Sequence, residues 1–120
     1  MEYVVTEPIA DKRAAILDLM QVFANEERQL DLERAAPGHV DITNEIFEKW
    51  FKDLYRPEDP DFASGFNQDE LVDLVEFSHY LDDRRQQLPD SHGTIRTWLP
   101  NPVWREIMQK AQRTLERINK

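Results

Sequence analysis

The chain has 120 residues, a net charge of −9 at neutral pH and no cysteine, with 40% hydrophobic and 32% charged residues. Such a length fits one domain, residues 1–120, that buries a core without disulfides or metal, and the absence of cysteine excludes thiolate metal sites and a cysteine nucleophile. The acidic balance argues against direct nucleic-acid binding, because that relies on basic groups displacing phosphate counterions.

The opening MEYVVTEP carries neither the basic region nor the apolar run of a signal peptide, and no later run reaches bilayer length, so a cytoplasmic protein is expected. Tyr3, Val4 and Val5 suit a short extended arm, and Pro8 suits a helix start. Ile16, Leu17, Met20, Phe23, Ala24 and Leu30 keep helical spacing as far as Ala36, where Pro37 and Gly38 stop it. A break near Asn25 is compatible with this pattern. A second helix begins at the capping residue Asp41, with Ile42, Ile46, Phe47, Trp50, Phe51 and Leu54 as its apolar stripe.

Residues 56–66, RPEDPDFASGF, read as a loop carrying Phe62 and Phe66. The clearest helix follows, from Asn67 to Leu88. Asn67 and Glu70 have the spacing of a reciprocal capping box, and Pro89 ends the helix. Its apolar side is Leu71, Leu74, Val75, Ser78, Leu81 and Leu88; Asp69, Asp73, Glu76, Tyr80 and Asp83 recur on the opposite side as an acidic ridge. Pro89, Gly93 and Pro100 then mark a second long loop, with Thr94 to Trp98 briefly extended. Asn101 and Pro102 open a last helix that buries Trp104, Ile107, Met108, Ala111, Leu115 and Ile118, with Lys110, Arg113, Arg117 and Lys120 outside.

Four helices with one apolar stripe each bury those stripes together, so the expected fold is all-α, a compact bundle of about four amphipathic helices with two long Pro/Gly-containing loops. Net charge along the chain is uneven: residues 67–90 carry −5, whereas residues 91–120 carry +4. With the ridge and the basic side of the last helix both facing outward, they do not neutralise each other and the surface is dipolar.

Glu45 and Glu48 followed by Glu70 and Asp73 form ExxE, 21 intervening residues, then ExxD. This arrangement resembles the magnesium-binding signature of all-α nucleoside triphosphate pyrophosphohydrolases of the MazG and dUTPase kind. The likeness covers the two middle helices and implies acids on adjacent helices that hold the ions carrying a triphosphate. By helical angle, however, Glu45 and Glu48 fall on a solvated face. Glu76 and His79 have the ExxH spacing of a metal-binding helix, yet a carboxylate-bridged site needs two such pairs. Asp90, Ser91 and His92 contain the residue types of a hydrolase triad but read first as turn chemistry. Arg85 lies in line with the apolar stripe, placed for a partly buried ion pair with Asp82.

No constellation here specifies an enzyme, a cofactor or a metal. The function expected is protein–protein binding, as an inhibitor, immunity-like protein or regulator that masks a basic partner surface. Its contacts would be Asp69, Asp73, Glu76, Tyr80 and Asp83 on the ridge, with the loop aromatics Phe62, Phe66 and Trp98 either closing the core or meeting a partner. Two other classes remain open. One is the magnesium-dependent hydrolase, the other a structural subunit that self-associates through the loop aromatics.

Overall fold

The computed structural model describes residues 9–36, 41–88 and 94–118, with side chains from Lys12 onward. Within these the fold is all-α, without a strand. In chain order the segments are α1 (Ile9–Ala24), α2 (Glu26–Ala35), α3 (Ile42–Glu48), a π-helical turn (Lys49–Leu54), α4 (Pro60–Ala63), α5 (Gln68–Arg85), α6 (Ile95–Trp98) and α7 (Pro102–Ile118). Tyr3 to Val5, the stop at Pro37 and Gly38, the Asp90–Ser91–His92 run and Lys120 lie outside the described residues.

Seven α-helical segments replace the expected four because side chains cap the backbone where a longer helix or a loop was read. Asn25 splits the first helix, its carboxamide oxygen accepting from the Arg28 amide at 3.1 Å. Asp59 nucleates one turn inside the first loop by accepting from the Asp61 amide at 2.9 Å. Thr94 does the same for α6, so Thr94 to Trp98 is a helical turn and not extended. The Asn67–Glu70 capping box is present, and α5 ends at Arg85, three residues before Leu88.

The core is a ring of aromatic side chains around Phe23. Phe47, Trp50, Phe77 and Trp104 all lie within 6.5 Å of it, centroid to centroid, three of them edge-on. The helix α7 packs against both α1 and α5 and supplies Trp104, Ile107, Met108, Ala111, Leu115 and Ile118, the stripe its sequence predicts. The π turn holds the Tyr55 amide on the Trp50 carbonyl at 2.9 Å. Trp50 is thereby stacked on Tyr55 and donates its indole hydrogen to the Ser78 hydroxyl at 3.1 Å.

The break at Asn25 leaves the last carbonyls of α1 without helical partners, and buried carbonyls need replacements. Gln29, fully buried, donates to the Val22 and Phe23 carbonyls at 2.9 and 3.1 Å, while its own oxygen accepts from the Trp104 indole at 3.1 Å. Gln112 donates to the Ala24 carbonyl at 2.8 Å. The end of α1 is thus finished by side chains of α2 and α7. Replacement of Gln29 by Leu orphans the Phe23 carbonyl and the Trp104 indole N–H, while the Val22 carbonyl keeps the Asn25 amide at 3.4 Å, and is expected to cost about 2 kcal/mol in urea unfolding. A double-mutant cycle with Trp104→Phe is expected to show coupling of about 1 kcal/mol; additivity would mean that the bond contributes nothing.

Candidate functional site

The capping box sets where α5 begins, and its packing against α7 sets which side faces solvent. The buried arc comprises Asp73, Leu74, Phe77, Ser78 and Leu81. Val75, assigned to the core by its spacing, is instead 42% exposed, and Val72 is 49% exposed. Phe77 explains the difference. It stands three residues after Leu74 and four before Leu81, and with its ring in the core the whole stripe turns toward α7.

That rotation divides the expected ridge. Asp73 is only 8% exposed and its carboxylate meets the Arg117 guanidinium at 2.8 Å. Tyr80 is half-buried, with Arg84 at 4.5 Å and Lys110 at 5.7 Å from its ring centroid. Arg84 also reaches Glu106 of α7 at 3.0 Å. The expectation that α5 and α7 keep their charges apart is therefore corrected: α7 spends Arg117 and Lys110 on one flank of α5. Asp69, Glu76 and Asp83 remain exposed, joined by His79 and Asp82. Among the described residues Asp69, Glu76 and Asp82 have no ion-pair partner, while Asp83 shares Arg84 at 2.7 Å. Spacings of three and four place Val72, Val75 and His79 in a row, with Asp69, Glu76, Asp82 and Asp83 at its edges.

The three loop aromatics are core residues. Phe62 and Phe66 pack on each other with ring centroids 5.2 Å apart, and Trp98 lies 6.0 Å from Trp104; all three are buried. Aromatic side chains on Pro/Gly-rich stretches have no periodicity to reveal this, and only the single turns α4 and α6 turn them inward. Arg85 does not pair with Asp82; it lies over the Phe47 and Phe51 rings at 5.2 and 5.7 Å.

The four acids of the pyrophosphohydrolase-like pattern occupy separate surroundings. Glu45 is exposed, Glu48 lies 3.5 Å from Lys52, and Asp73 is held by Arg117. Glu70 accepts two bonds from Arg13, at 2.8 and 3.0 Å, and one from the Asn67 amide at 3.0 Å. Arg13 also donates to the Gly65 carbonyl and covers the Phe66 ring, so the Arg13–Glu70 pair pins α1 to the start of α5. The described residues contain no group of three or more His, Asp or Glu side chains able to hold a metal ion, the Glu76–His79 pair included. No described helix is long and apolar enough to cross a membrane.

Comparison with family models, with curated proteins and with solved structures finds no match for this chain. Hydrogen bonds from Arg13 draw the Glu70 carboxyl below its ordinary pKa against the opposing effect of burial, with the Asn67 amide adding to the lowering. A carboxyl whose pKa is lower when folded stabilises the fold fully above its unfolded pKa of about 4.3, and loses that contribution as pH falls through the folded value. The stability gap between the wild type and Glu70→Gln is therefore expected to be largest above about pH 5 and to close as pH falls below about 4. Urea titrations across that range test it; a gap independent of pH would assign Glu70 a capping role alone.

Proposed function

We propose that this chain acts by binding a basic protein partner through the outward face of α5, as an inhibitor, immunity-like protein or regulator. The observation that carries the reading is the pair Val72 and Val75, exposed side by side beside Asp69 and Glu76. An apolar centre bordered by carboxylates without cations opposite them is suited to a surface with apolar contacts and a lysine- or arginine-rich border. The net charge of −9 acts in the same direction over longer range, speeding encounter with a basic partner. Asp73 and Tyr80 belong to the support of this face, since both are engaged by cations within the molecule.

Rim charges govern association rate more than dissociation. The double change Asp69→Lys with Glu76→Lys is expected to slow association about tenfold or more at low ionic strength, with the difference shrinking as salt rises. Both positions are exposed, and the loss of Asp69 from the first turn of α5 costs at most about 1 kcal/mol of helix-dipole stabilisation. A partner captured from native lysate, eluted by rising salt and purified, gives the rates by surface plasmon resonance. Equal rates for wild type and variant would remove the α5 face as the site.

A further inference from the structure

Histidine is the side chain whose charge ordinarily changes across the neutral range, and one stands in the middle of the outward face of α5. His79 is exposed, in a row with Val72 and Val75. Glu76 lies one turn before it and Asp82 and Asp83 one turn after it, spacings at which side chains on a helix meet. His79, Asp82 and Asp83 share an open recess of about 450 Å³ with Ser78 and Gln86 of α5 and with Phe51 of the π turn. Among the described residues no lysine or arginine lines it. The charged side chains of the π turn are placed elsewhere: Lys49 lies among residues of α1, α2 and α3, Lys52 is 3.5 Å from Glu48, and Asp53 lies beside Lys12, Arg56 and Asp59. Both arginines of α5 are engaged as well, Arg84 by Tyr80, Asp83 and Glu106, and Arg85 by the Phe47 and Phe51 rings. Among the described residues of this face, His79 alone can become a cation by taking up a proton.

We propose that His79 is a proton switch for this face. Neutral, it leaves Asp69, Glu76, Asp82 and Asp83 to a cationic partner; protonated, it engages Glu76, Asp82 and Asp83 itself and weakens the hold on a basic surface. The switch rests on the reading of α5 as the docking face. Cations three or four residues from a carboxylate pair with it elsewhere in this chain, Arg34 with Asp31 and Lys52 with Glu48. Protonation also sets a positive charge beside the valines, where the cations of a partner must approach. Linkage fixes the sign: a proton taken up more readily by the free face weakens docking as pH falls, and docking expels that proton in return. Carboxylates as a class titrate near pH 4 and lysines near pH 10, so neither supplies the change between about pH 5.5 and 7.5. One unit charge about 7 Å from another in water alters an equilibrium about threefold, which sets the size of the effect for each cation of the partner.

The test uses a lysine octapeptide, whose charge stays constant from about pH 5.5 to about pH 7.5. It is titrated at low salt into the isotope-labelled chain, and the backbone amide shifts are followed by NMR. At the higher pH the amides of Val72, Val75, His79 and Asp82 are expected to move along a common saturation curve. At the lower pH the affinity read from them is expected to be about threefold or more weaker. His79→Gln, which stays neutral, is expected to keep the tighter affinity at both pH values, and His79→Lys, always charged, the weaker affinity at both. His79 is exposed, so the circular dichroism and melting temperature of both variants should match the wild type. His39 and His92 remain in every variant. A loss of affinity shared by wild type and His79→Gln would therefore assign the proton to another group and overturn the switch, while leaving α5 as the docking face. Equal wild-type affinity at the two pH values would do the same. A peptide that moves amides elsewhere and none on α5 would overturn the docking reading and the switch with it.

Discussion

The fold depends on a break in a helix and on the residue that makes the break tolerable. An uninterrupted α1 running to Ala36 would carry its apolar stripe away from the core, whereas the turn at Asn25 folds α2 back over it. Ending α1 inside the protein leaves carbonyls that water cannot reach, and each would cost more than a typical hydrogen bond is worth. Gln29 and Gln112 supply the missing donors. Because the Gln29 oxygen in turn receives the Trp104 indole hydrogen, the same contact fixes α7, the helix against which both α1 and α5 pack.

Placement of α7 decides the electrostatics. Once its cationic side lies along α5, Arg117 and Lys110 are close enough to Asp73 and Tyr80 to engage them within the molecule. Asp69, Glu76, Asp82 and Asp83 stay in water. Their value lies in the field they project and not in stability, because exposed charges contribute little to folding. The outward face of α5 combines two exposed valines with one sign of charge.

Much of this was legible in residue patterns. Capping signals at Asp41 and Asn67, the apolar stripe of α7 and the all-α class follow from spacing, because helical periodicity and side-chain caps are local physics. The rotation of α5 was legible in part: Phe77 fits the Leu74 and Leu81 spacing, and giving it the weight of its area would have turned the stripe toward Asp73. The inward turn of Phe62, Phe66 and Trp98 was not legible, since one-turn helices leave no periodic trace.

Local sequence alone therefore determined which segments are helical, where several of them start, and that charge is distributed unevenly from one end to the other. Each of these rests on interactions within about four residues. Tertiary structure decided which acids are free, because the Asp73–Arg117 and Glu70–Arg13 pairs join residues 44 and 57 positions apart. A carboxylate on a helix is solvated or neutralised according to what packs beside it, and that neighbour is set by the core.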